Sequence, residues 1–204
     1  MIFDEESLDL SNIVCHSGGA SGSDSIFSEI GKKYGVKTNA YSYKTKYHDS
    51  DDKVEISDTD YEEGIVEITK ANKVLKRFGI NKYMNLLARN WAQVKYSDEV
   101  FAIGTIVEPG KKGGKGFYNK SSIEVVDGGT GYACMCAIIN NKPVYVFDQN
   151  KNRWFRWSYT LSKFVEIKGD LKINFQNFAG IGTREIKQNG IRAIEDLYKV
   201  TFNN

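Results

Sequence analysis

The sequence predicts a doubly wound α/β protein with a mostly parallel sheet and helices on both faces. Three observations carry this. Short apolar runs alternate with stretches of 3.6-residue apolar periodicity, the order expected of repeated βα units. Several runs, such as EVFAIG at 99–104, are apolar throughout, as strands covered on both faces tend to be. Twelve of the 19 glycines fall in four clusters: Gly18/Gly19/Gly22, Gly110/Gly113/Gly114/Gly116, Gly128/Gly129/Gly131 and Gly180/Gly182. Three of these clusters follow a strand and precede a helix, where the backbone approaches a ligand or takes positive φ.

Each element has its own signal. Residues 12–16 (NIVCH) form a strand that ends at SGGASGSD. A helix follows, with Ile26, Phe27, Ile30 and Tyr34 at helical spacing, Ser23 or Asp24 as N-cap and Gly35 as its stop. Residues 36–43 alternate as a strand, and 44–60 are a polar, acidic loop without the calcium-loop pattern. Helices are predicted over 60–78, through Ile65, Ile68, Ala71, Leu75 and Phe78, and over 82–96, through Met84, Leu87, Ala88, Trp91 and Val94. The strand 99–104 leads into 105–123, whose KKGGKG suits an exposed hairpin or mobile loop. Residues 123–127 are a short strand before GGTG, and 131–140 a short apolar helix. Pro143 opens the strand VYVFD, a position that tolerates a missing N–H. Alternating aromatics over 153–167 predict an added antiparallel hairpin packed on the core. Residues 173–179 run as a strand into GIGTRE, which opens a last helix carrying Ile186, Ile191, Ile194, Leu197 and Tyr198 to about Lys199. No repeat or linker interrupts residues 1–204, which read as one domain.

Composition narrows the function. A net charge of +2, from 28 Lys+Arg against 26 Asp+Glu, disfavours nucleic-acid binding driven by bulk charge. Cys15, Cys134 and Cys136 do not make a disulfide scaffold, and with only His16 and His48 as further soft ligands no metal site is expected. No cofactor is implied. No run reaches ~18 apolar residues, and MIFDEESLDL has neither the basic nor the apolar region of a leader, so no membrane partner and no secretion are expected. The expected location is the cytoplasm, or the host cytoplasm if the chain is viral.

The candidate site is built from loops. In Ser17–Asp24 the glycines Gly18, Gly19 and Gly22, with Ala20 between them, free the backbone to curl while the helix behind offers unpaired N–H groups to an anion. The stretch Asp127, Gly128, Gly129, Thr130, Gly131 repeats the device, and two such turns in one sheet favour a shared crevice. In GIGTRE, after Gly182, Thr183 can cap the helix and Arg184 can reach an anion. Only six residues are Arg, so Arg184 and Arg89 are selective uses of a scarce side chain. Arg89 and Asn90 are expected to project from the border of their helix. Asp127 is the best placed carboxylate for a ribose hydroxyl. Asp127, Asp24 and His16 are the candidates for acid–base work, although a hydrogen-bonded strand-end role suits His16 better.

These loops together resemble the SLOG superfamily, named for the DNA-processing DprA/Smf proteins and the cytokinin-activating LOG enzymes. SGGASGSD at 17–24 is similar to the SGxAxGxD of DprA-like members, Arg89–Asn90 to an RN pair before a strand, and GGTGYACMCAIINNKPVYVF to the later glycine turn, helix and strand. The resemblance covers residues 12–147 and 173–199. The unit FAGIGTREI with its helix, which opens such domains, here lies at 173–199, so the chain resembles the circularly permuted YpsA-like group. What the resemblance implies is a Rossmann-like domain binding a nucleotide or nucleotide-derived small molecule, often as a homodimer. Its permutation implies that the helix ending near Lys199 lies near the strand starting near Asn12, with Thr183 and Arg184 facing Ser17–Gly19. The LOG motif PGGxGTxxE has a catalytic Glu where DGGTGYAC has none, so activity of that kind is not expected. Sensing or sequestration of the ligand is the leading expectation. Hydrolysis of a nucleotide N-glycosidic bond is one alternative. DprA-like single-stranded DNA binding through Lys111, Lys112, Lys115 and the aromatic hairpin is the other.

Overall fold

In the computed structural model, residues 8–43, 51–114 and 117–203 are described. The chain opens with a 3-10 turn at Leu10–Asn12, then β1 (Val14–Ser17), α1 (Ser23–Lys33), β2 (Lys37–Ser42), β3 (Lys53–Glu55) and α2 (Asp58–Leu75). A 3-10 turn at Ile80–Tyr83 leads to α3 (Met84–Lys95), β4 (Glu99–Gly104), β5 (Ile106–Val107), β6 (Val125–Val126) and α4 (Thr130–Ile139). Then come β7 (Val144–Asp148), β8 (Arg153–Ser158), β9 (Lys163–Glu166), β10 (Asn177–Gly182) and α5 (Gln188–Phe202). Eight strands form one sheet in the order β3-β2-β1-β10-β4-β7-β8-β9. The first six are mutually parallel, and β8 and β9 add the expected antiparallel hairpin. The fold is therefore α/β and Rossmann-like.

Burial explains the strands. Along β4, Phe101 and Ile103 enter one core while Val100 and Ala102 enter the other, the period-2 alternation of a strand covered on both sides. The first core lies against α1 and α5, and the second against α2, α3 and α4. On α5, Ala193, Ile194, Leu197, Tyr198 and Thr201 are buried at helical spacing, and the Tyr198 hydroxyl donates to the Phe27 carbonyl on α1 at 3.0 Å. Ile13, just before β1, shares this core with Leu197 and Tyr198, and the Ile173 amide donates to Thr201 Oγ1 at 2.9 Å. The strand β10 of the C-terminal β10–α5 unit thus lies inside the sheet, between β1 and β4.

Several expectations are corrected. The strand expected at 123–127 is only β6, and it pairs antiparallel with β5 in a separate two-stranded sheet. The acidic loop contains β3, which extends the sheet edge beside β2. Residues 44–50 of that loop, with His48, lie outside the described residues, as does Lys115. α2 stops at Leu75 rather than at 78, because Lys76 turns left-handed with φ 54°. α1 is preceded by Gly22, not capped by Ser23 or Asp24, and both of those side chains turn inward. α5 begins at Gln188, so GIGTRE leads to it through a loop and Thr183 does not cap it.

Among the described residues, no helix is long and apolar enough to cross a membrane.

Candidate functional site

The strand order places a switch point at β10. From β1 the chain moves outward through α1 to β2, whereas from β4 it moves the other way through α4 to β7. Loops that leave the strands flanking such a point in opposite directions open a crevice at the carboxyl ends of the sheet. Here a cleft of about 710 Å³ is lined by Ser17–Ser21, Asp24, Arg89 and Arg184, together with residues of β2 and of α1 as far as Lys32. Its size suits a small-molecule ligand.

Asp24 organises the cleft. It is 6% exposed, and its Oδ1 accepts the Gly182 amide at 3.1 Å. Burial raises its pKa, while Arg89 and the amides of Gly182, Ala20 and Gly18 favour the charged form. Arg89 is 6% exposed and Asn90 7%, so the helix border expected for them is instead an interior contact. Arg89 Nη1 donates to the carbonyls of Gly18 and Tyr41, and its Nε has no partner among the described residues. Burial pulls its pKa down, opposed first by the Asp24 charge. A Cβ on Gly18 would lie 1.9 Å from Arg89 Nη1 and 2.6 Å from Asp24 Oδ2, so only glycine allows this approach.

The loops of β1 and β10 are joined directly. The Thr183 carbonyl accepts the Ser23 amide at 3.1 Å and the Ser23 hydroxyl at 2.8 Å. Its amide donates to Ile103 on β4, and its Oγ1 accepts the Glu185 amide. Gly22, with φ 99°, lets this contact form, since a Cβ there would sit 2.6 Å from the Arg184 Cα. Arg184 lines the cleft on an exposed loop rather than at a helix start, and its guanidinium has no hydrogen bond or ion pair among the described residues. The amides of Gly19 and Ser21 are likewise without partners.

The second glycine turn does not line this cleft. Its Asp127 accepts the Gly114 amide on Oδ2 at 2.6 Å and the Gly128 amide on Oδ1 at 2.7 Å, tying the turn to the 111–114 loop. Gly128 and Gly129 are exposed, Thr130 begins α4, and the Gly131 amide returns to the Gly128 carbonyl. Asn90 Nδ2 reaches the Gly129 carbonyl at 3.3 Å and so links α3 to the turn. The residue that holds the turn was not legible in the sequence. Arg77 donates to the carbonyls of Val126 and Gly128 and lies over the rings of Phe117 and Tyr132. The scarcity of arginine was the one signal for it.

Of the candidate acid–base groups, only Asp24 lines the cleft. His16 is 4% exposed and bonded on both nitrogens, to the Tyr41 hydroxyl at 2.9 Å and to Asn177 Oδ1 at 3.2 Å. A carbonyl oxygen only accepts, so Nε2 carries the proton and Nδ1 accepts from Tyr41. Burial lowers its pKa further. Cys15, Cys134 and Cys136 are buried thiols, and burial pushes Cys15 and Cys134 up to about 12. Among the described residues, no group of three or more His, Cys, Asp or Glu could hold a metal ion.

No family model, curated protein or solved structure matches this chain.

Proposed function

We propose that this chain is a circularly permuted SLOG-type domain that binds a nucleotide or nucleotide-derived small molecule, to sense or sequester it. The observation that carries the reading is a set of unpaired donors on one cleft. Among the described residues the Gly19 and Ser21 amides and the Arg184 guanidinium have no partner, and Arg89 lines the same cleft with an Nε that has none either. Donors held in place beforehand favour an anionic group, because the loop need not reorganise when it binds. The test is calorimetric titration with a nucleotide panel, with chromatography of the products. Binding without release of free base supports this reading, and release of base moves the chain to the hydrolase alternative. The homodimer implied by the resemblance belongs to the same proposal, and sedimentation checks it.

A separate observation favours a second reading, binding of single-stranded DNA. Residues 70–86 hold Lys70, Lys73, Lys76, Arg77 and Lys82 and no acidic residue, and 109–120 hold four lysines and none. The two segments meet where Lys120 Nζ lies 4.5 Å from the centre of the Phe78 ring. Phe78 is 86% exposed and Tyr83 62%, whereas Phe155 and Trp157 of the aromatic hairpin are buried and Trp154 packs on the core. The stacking surface of this reading is therefore Phe78 and Tyr83, not the hairpin. A salt-titrated oligonucleotide assay with Phe78→Ala tests it. Unchanged affinity in the variant rejects the surface.

A further inference from the structure

The described polar groups of the cleft favour a ligand of low charge. Among its described lining residues are three cations, Lys32, Arg89 and Arg184, and four carboxylates, Asp24, Glu29, Asp51 and Asp52. Two of the cations already have an internal counter-charge. Lys32 Nζ lies 2.8 Å from Asp52 Oδ2, and Arg89 is buried beside Asp24. Arg184 is the one described cation of the cleft without such a partner. A triphosphate brings three or four negative charges and needs matching cations, and among the described lining residues it would meet the exposed carboxylates of Glu29 and Asp51 instead. The rest of the lining is suited to hydroxyl groups. Thr38 Oγ1 is buried and has no partner among the described residues, Ser42 and Tyr43 stand at the end of β2, and carboxylates accept hydrogen bonds from sugar hydroxyls.

We infer that the cleft takes a ligand with a single phosphate charge joined to a hydroxyl-bearing sugar, that is, a phosphodiester such as a cyclic mononucleotide, in preference to a nucleoside di- or triphosphate. The inference rests on the nucleotide reading of the same cleft. One phosphodiester oxygen meets the Gly19 and Ser21 amides, and the other faces Arg184. The sugar lies toward Asp51 and Ser42, where a further phosphate would be repelled.

The test is titration calorimetry of the full chain with adenosine, 3′,5′-cyclic AMP, ADP and ATP, each with and without magnesium. Cyclic AMP is expected to bind at least tenfold more tightly than ATP, and adenosine more weakly than cyclic AMP. Glu29→Gln, at an exposed position of α1, is expected to raise ATP affinity severalfold by removing one repelling charge. If ATP or its magnesium complex binds as tightly as cyclic AMP, the charge limit is wrong while the nucleotide reading stands. If none of the four binds, the nucleotide reading fails and the charge limit falls with it.

Discussion

The Gly182 amide at the end of β10 donates to Asp24 Oδ1 on α1 at 3.1 Å, joining residues 158 positions apart. Around this bond the β1 loop, the β10 loop and Arg89 of α3 are held together. Asp24→Ala would leave the Gly182 amide unpaired and the buried Arg89 without its counter-charge. The expected loss of stability is about 3 kcal/mol, in the range for removing one partner of a buried charged pair. Urea denaturation measures it. A loss below about 1 kcal/mol would show that solvent or a neighbour replaces the carboxylate.

Gly22 controls the approach of the β10 loop to α1. Its φ of 99° disfavours any side chain, and a Cβ would lie 2.6 Å from the Arg184 Cα and carbonyl oxygen. Backbone on both sides cannot rotate away as a side chain could. Gly22→Ala is expected to destabilise the protein by about 2 kcal/mol or more. It should also weaken ligand binding, because Arg184 is displaced with the loop. Retained stability together with retained affinity would contradict this packing.

Much of the architecture was legible because it rests on local periodicity. EVFAIG alternates between two cores, and Ile194, Leu197 and Tyr198 share the buried face of α5. The glycines at 18, 19 and 22 and at 182 also marked a true meeting of loops. What could not be read depends on pairing across long distances. Val125–Val126 has the composition of a core strand, but two residues do not specify a partner, and it pairs with Ile106–Val107 outside the main sheet. Arg89 looked like a helix border because Leu87 and Trp91 defined the apolar face. It is buried by Gly18 and Asp24, segments of chain more than 60 residues away. Arg77 depends on the left-handed turn at Lys76, which no local pattern announced.

Glu99 makes stability depend on pH. It is fully buried at the start of β4, and its Oε1 accepts the amides of Asn174 at 2.6 Å and Phe175 at 3.0 Å. Burial pushes its carboxyl up from 4.5 to about 7. An acid that holds its proton more tightly when folded gives most stability below its unfolded pKa and loses it as pH rises through the folded one. Glu99→Gln keeps a carbonyl for both amides but has no proton to lose. Between pH 5 and pH 8 the wild type is therefore expected to lose up to about 3 kcal/mol relative to this variant. Asp24, also raised by burial, contributes to both proteins alike. Urea midpoints at several pH values measure the difference, and a constant gap would exclude Glu99 as the titrating group.

Arg184 allows binding to be separated from folding. It is exposed and has no hydrogen bond or ion pair among the described residues, so Arg184→Ala should change stability by less than about 0.5 kcal/mol. Its guanidinium is nonetheless the one described cation of the cleft free to meet a phosphate. Losing one charge-assisted hydrogen bond weakens affinity roughly tenfold or more. The contact is also exposed to solvent, so the advantage of the wild type should shrink as salt rises from 0.05 to 0.5 M, concentrations that span the Debye lengths of roughly 14 to 4 Å over which surface charges are screened. Arg184→Lys keeps the charge but not the planar fork, and should recover only part of the affinity. Calorimetry of the three proteins at two salt concentrations decides. Equal affinity in the wild type and Arg184→Ala would move the anion contact away from the β10 loop, toward the Gly19 and Ser21 amides of the β1 loop.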